Sequence, residues 1–161
     1  MKTRPFLIIT CLPFLILNTS LLSCVNNENV RQKNILLQSI DEIIEDGKRT
    51  DGDAKFNFRE LKQFEWNMLY IFGPYTPTSD IESKLGTSNS SIKKVGIEIR
   101  DDISLLVFLK QNEVRAVLPY PSQKADFSRI ASFHPIPKKE SFFKLSKNQN
   151  QTGWFYVLLD K

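Results

Sequence analysis

Few side chains in this sequence can do nucleophilic or metal chemistry. The 161 residues hold two cysteines, Cys11 and Cys24, and one histidine, His134. A serine or cysteine nucleophile needs a base beside it and a third group to orient that base. The lone imidazole sits between Phe133 and Pro135, where surface packing is its ordinary role. No Gly-x-Ser-x-Gly turn exposes a serine. Zinc asks for three or four His, Cys or carboxylate ligands, which one histidine without a spare thiol does not supply. Asp46, Asp51, Gly52 and Asp53 crowd one loop, but they lack the spacing and the closing bidentate Glu of a calcium loop. Carboxylate chemistry remains, because two acids can be brought together from anywhere in a fold. Glu65, Glu98, Asp101 and Asp102 are candidates by position, and each reads first as a solvated charge. The expectation is no catalytic set, no metal and no cofactor.

Cys24 has a role of another kind. Met1-Lys2-Thr3-Arg4 is a positive start, Phe6 to Leu17 is apolar apart from Thr10, and Asn18-Thr19-Ser20 breaks the run. Positive, apolar, then small and polar is the order of a secretory signal. A bilayer span needs ~20 apolar residues, and this run is too short for one. Removing residues 1–23 leaves 138 residues, with Cys24 as their only thiol. The formal charge of +4 then falls to about +2, because Lys2 and Arg4 leave with the signal. Such a chain carries no nucleic-acid signature, and with no disulfide it must rely on its core.

Leu21-Leu22-Ser23-Cys24 resembles the bacterial lipobox. The resemblance implies diacylglycerol on the Cys24 sulfur, cleavage after Ser23, and an acyl chain such as palmitate on the new amine. Two chains suffice for stable anchoring, each buried methylene contributing about 0.8 kcal/mol. It implies a lipoprotein of the bacterial cell envelope, on the periplasmic side of the outer membrane if the cell is Gram-negative. The expected organisation is a signal over 1–23, a lipidated Cys with a short tether over 24–29, and one domain over 30–161.

That domain must position whatever site exists. Val30, Leu36, Leu37, Ile40, Ile43 and Ile44 share a helical face, so an amphipathic helix is expected from Val30 to Asp46, with Gly47 just past its end. Phe64 to Tyr75 reads as a central strand with Trp66, Met68, Tyr70 and Phe72 on one face, stopped by Gly73-Pro74. A short helix should follow, begun by a Ser79–Glu82 capping box and closed by Gly86. Ile92 onward reads as a meander: a strand through Val95, Ile97 and Ile99, a turn at Asp101-Asp102, and a strand from Ile103 to Leu109. A second turn at Lys110-Gln111-Asn112 leads to a strand from Val114 to Leu118 that Pro119 and Pro121 stop. Phe127, Ile130 and Phe133 suggest a weak strand or covering loop, and His134 to Pro137 an extended, polyproline-like path. A hairpin over Phe142–Leu145 and Trp154–Leu159 ends the chain. The fold class is α+β: a mainly antiparallel sheet of five to seven strands, an N-terminal amphipathic helix and one short helix. The string from Phe64 through Trp66, Tyr70, Pro74-Tyr75-Thr76, Ile81 and Leu85-Gly86 is similar to a motif of small bacterial envelope lipoproteins without an assigned activity, so it carries over no functional residue.

Two surfaces are candidates for binding. Trp66, Tyr70, Tyr75 and Trp154 offer aromatic faces for a partner or sugar, although aromatics at strand spacing more often build core. Lys124, Arg129, Lys138, Lys139, Lys144, Lys147 and Lys161 outnumber Asp126, Glu140 and Asp160, a basic balance suited to anionic lipid or cell-wall polymer. The expected function is a non-enzymatic binding or structural module held near the membrane, with an envelope protein or cell-wall component as partner. An immunity or inhibitor lipoprotein and a carboxylate-based envelope hydrolase are the alternatives.

Overall fold

The structure is a computed structural model that describes the backbone of residues 20–49, 54–147 and 155–160, and side chains from Val30 onward except Ser132 and Phe133. Expectations that fall on Asp51, Gly52, Asp53, Trp154 and Lys161 lie outside the described residues.

Ser20–Arg49 is one helix, α1. Leu36, Ile40 and Ile44 recur every fourth residue and are buried, with Leu37 and Ile43 packed beside them. Each such side chain contributes ~1.5–3 kcal/mol on burial, and this stripe fixes the C-terminal half. The N-terminal half is different: Val30 and Ile35 are exposed, as are the polar residues between them. A helix nucleated by its buried half propagates at little further cost. Residues 24–29, expected as a tether, are therefore helical. Gly47 is also inside the helix rather than beyond it. A Cβ at Gly47 would lie 2.9 Å from the carbonyl oxygen of Lys55, so the missing side chain lets the next strand run against the helix. The last turn carries Lys48 and Arg49, which reach back to Glu45 (2.7 Å) and Asp46 (3.2 Å). Those cations offset the acidic residues at the negative end of the dipole.

The class is α+β with antiparallel sheets, as the sequence leads one to expect, but the strands divide between two sheets. The larger has the order β4-β3-β2-β5, with β2 at Met68–Phe72, β3 at Ile103–Lys110, β4 at Glu113–Pro121 and β5 at Ser132–Pro137. The smaller has the order β1-β6-β7, with β1 at Lys55–Asn57, β6 at Phe142–Lys147 and β7 at Phe155–Leu159. Strand β3 is buried along nearly its whole length, because both faces of the larger sheet are covered. On one face Leu69, Ile71, Leu106, Phe108 and Leu118 meet α1 and the smaller sheet's Phe56, Phe143 and Val157. On the other, Phe72, Leu105, Val107 and Leu109 meet Ile81 and Leu85 of α2 (Thr78–Leu85), Ile92 of α3 (Ser90–Lys93) and Ile97.

Several local expectations are corrected. No strand spans Val95 to Ile99; α3 and a 3-10 turn at Ile97–Ile99 stand there instead. Gly96 at φ 64° breaks the extended path, and Ile97 turns into the core while Ile99 stays 82% exposed. The hairpin expected before Ile103 is therefore absent, whereas β3–β4 forms and the C-terminal strands β6 and β7 pair antiparallel as expected. The two-residue β3–β4 loop, Gln111-Asn112, has φ of 50° and 68°, the left-handed pair that matches strand twist. Pro119 does not stop β4, which runs on and ends at Pro121. As an edge strand it has one side where a missing N–H costs no ladder bond. Strand β2 starts at Met68, so Trp66 precedes it and packs with Leu69 and Ile71, opposite the expected face. The path from Ser132 to Pro137 is a paired strand, β5, rather than a free polyproline segment. Glu82 makes no capping box: α2 starts after Pro77 without a side-chain cap, and Glu82 accepts from the Ser88 hydroxyl (2.7 Å) and the Asn89 N–H (3.1 Å). Gly86 does end α2 in the left-handed conformation.

Candidate functional site: a basic groove beside the N-terminal helix

The exposed half of α1 does not stand clear of the molecule. Between it and β4 lies a groove of about 440 Å³, within the size range of small-ligand sites. Val30, Lys33 and Leu36 come to it from one side of α1 at helical spacing, and Phe64 and Val117 face them. Leu36 is buried and Val30 is 60% exposed, so the apolar lining runs from core to solvent. Phe64 is fixed by an edge-on contact with Phe108, 5.4 Å between centroids. Gln63 donates to the Ser39 hydroxyl at 2.6 Å, tying the segment before β2 to α1.

Two cations mark this groove, Lys33 and Arg115, and no carboxylate lines it among the described residues. The position of Arg115 has a backbone cause. Along the β3–β4 ladder Phe108 faces Ala116 and Leu109 faces Val114, so Arg115 is an extra residue with no partner on β3. Such a bulge twists an edge strand and re-aims the side chain it carries. Arg115 pairs with Glu113 on the same strand, 3.8 Å away, and both are well exposed, an arrangement worth little.

The helix is held over β4 by a polar latch. Tyr120 donates its hydroxyl to Asp41 at 2.9 Å, and the Lys124 ammonium pairs with the other carboxylate oxygen. Burial, and then the charge of Asp41, push the Tyr120 phenol far above its ordinary value. It therefore stays a donor at any ordinary pH, and the wall that α1 forms is held in place.

Of the aromatic residues singled out in the sequence, the three that are described do not converge. Trp66 is buried, edge-on to Phe108 at 5.1 Å, with Lys138 over its ring at 5.0 Å. Tyr70 is half-buried on the opposite face of the sheet, stacked on Phe72. Tyr75 is 60% exposed and sits at φ 61°, a conformation that costs a bulky residue about 1–3 kcal/mol. It is held there by its N–H, which lies 3.0 Å from the Ile97 carbonyl oxygen and 3.2 Å from that of Arg100.

The acids are equally dispersed. Glu65 pairs with Lys110 at 3.1 Å, and that partner holds its carboxyl below the usual range. Asp102 is forked by Arg100 at 2.8 and 2.5 Å, with the same effect. Glu98 accepts from the Thr78 N–H, and Asp101 is exposed. His134 lines a separate hollow of about 340 Å³ with Glu140, Phe142 and Asp160. The basic C-terminal residues spread over several elements, and Lys138 and Lys139 lie in the 3-10 turn between β5 and β6.

Lys33 and Arg115 are site residues that sequence reading missed. Lys33 reads as one cation on a polar helical face and Arg115 as an outward strand residue; only the bulge and the strand-to-helix packing bring them to one groove. Set against models of protein families, curated proteins and solved structures, the chain finds no match in any of the three.

Proposed function

We propose that this chain is a lipid-anchored protein of the bacterial cell envelope, attached through Cys24, and that it works as a non-enzymatic binding module close to the membrane. One observation carries the reading. Cys24 lies on the same continuous helix that inserts Leu36, Ile40 and Ile44 into the core. Leu36 follows Cys24 by twelve helical steps, about 18 Å at 1.5 Å per residue. A lipid on Cys24 would hold the folded body with little slack, and the groove along α1 would open next to the bilayer. The N-terminal pattern and the Leu21-Leu22-Ser23-Cys24 box supply the chemistry of attachment, a thioether that anchors through two buried chains.

The test is metabolic labelling with a fatty acid in a bacterial host. The protein should take up label and move to the membrane fraction, and Cys24→Ala should abolish both. Label that persists in the variant would sink the attachment. Crosslinking on intact cells then tests the binding role: a saturable partner supports it, whereas glycan cleavage by the purified protein without any partner would overturn it.

A further inference from the structure

We propose that the groove between α1 and β4 seats one anionic phospholipid of the anchoring bilayer, its phosphate between Lys33 and Arg115 and part of an acyl chain along Val30, Leu36, Phe64 and Val117. The choice of lipid rests on the membrane-anchored reading above; the chemistry of the groove does not.

The groove joins two properties that a solvated surface has no reason to combine. Its lining carries an apolar strip from the buried Leu36 to the exposed Val30, with Phe64 and Val117, beside the polar Gln32, Gln63 and Ser91, so filling that strip removes hydrocarbon from water. Its charged lining residues, Lys33 and Arg115, are both cations, which complements a phosphate and repels a second cation. Arg115 is brought there by the bulge in β4, so the pairing is built into the sheet rather than left to a flexible side chain. Location adds a third argument. Val30 follows Cys24 by six residues on the same helix, about 9 Å along its axis. An occupant from the bilayer that holds Cys24 has only to shift outward by that distance. A peptide lying along β4 would need an acidic residue to meet the same two cations and nothing of bilayer depth.

Native mass spectrometry of the full chain, purified from membranes in mild detergent, tests this. The probes are phosphatidylglycerol and phosphatidylcholine with identical acyl chains. Phosphatidylglycerol should give a one-to-one adduct that is lost on denaturation, and phosphatidylcholine should give about tenfold less. Lys33→Glu with Arg115→Glu should weaken the phosphatidylglycerol adduct by about tenfold or more, each basic residue near an anionic surface contributing ~1 kcal/mol. Lys33→Gln with Arg115→Gln should show a smaller loss, and unchanged circular dichroism keeps either result interpretable. Equal adducts with both lipids, an adduct indifferent to both double variants, or displacement by glycerol phosphate alone would overturn the proposal; so would a co-purified peptide in the groove. The denatured mass reports attachment at Cys24 separately. A phosphatidylglycerol adduct on a chain whose denatured mass shows no lipid would refute the anchor and leave the groove standing.

Discussion

The two faces of the larger sheet are packed by different kinds of chain. Against Leu69, Phe108 and Leu118 lie α1 and the smaller sheet, with rings from distant parts of the sequence locked together. Phe58 alone has ring neighbours in Phe56, Phe108, Phe127 and Phe143, at 5.0 to 6.3 Å between centroids. Against Leu105, Val107 and Leu109 lie, among the described residues, α2, α3 and a 3-10 turn, all from Thr78 to Ile99, offering Ile81, Leu85, Ile92 and Ile97. The first face is aromatic and long-range; the second is aliphatic and local. A cavity in the first cannot be closed without moving several elements at once, whereas a four-residue helix on the second can settle inward. The helix that carries Cys24 packs on the first face, and the groove lies at the edge of the sheet between that helix and β4, where Ser91 of α3 and Val117 reach it from the second face.

Three measurements would break or sharpen that contrast. Phe58→Ala should give the largest loss, about 3–5 kcal/mol by urea denaturation, because both burial and ring contacts go. Ile92→Ala should cost less, about 2–3 kcal/mol in the same measurement, as α3 relaxes into the space. A larger loss at Ile92 than at Phe58 would reverse the contrast. The smallest effect is a pH dependence confined to the second face. The Ser88 hydroxyl, then the Asn89 N–H and Lys93, hold the Glu82 carboxyl below its ordinary value. A group depressed in the folded state contributes stability above its unfolded value, about 4.3, and loses it as pH falls through the folded value. The protection factor of the Asn89 amide, corrected for intrinsic exchange, should therefore fall on acidification, ahead of amides in β3, and Glu82→Gln should remove that dependence. An equal loss of protection in β3 would show that acid opens the molecule as a whole.

The part of the fold legible in sequence is the part set by periodicity. The stripe Leu36, Ile40, Ile44 gave the helix, the run Ile103 to Leu109, apolar apart from Ser104, a strand covered on both faces, and Gln111-Asn112 the hairpin between β3 and β4. What misled is alternation without context. Val95, Ile97 and Ile99 alternate like a strand, yet Gly96 takes the left-handed conformation and Ile97 fills a gap in the core. Gly47 looked like a terminus because a close approach between helix and strand leaves the same residue as a helix stop. The groove was illegible for a further reason. It depends on a one-residue slip between β3 and β4, and a slip is a property of two strands that neither sequence carries alone.

The smaller sheet ties the beginning of the fold to its end. Strand β1 follows α1 directly, yet its partner is β6, and β6 in turn pairs with β7 close to the last residue. A chain threading from a ribosome or across a membrane in N-to-C order therefore presents α1 and β1 long before anything can pair with them. Until Phe155–Leu159 has emerged, Phe56 and the apolar stripe of α1 lack their final cover, and chaperones have that interval in which to bind them. Closure of this sheet waits for Phe155–Leu159, and removing that strand should leave the earliest part of the fold exposed.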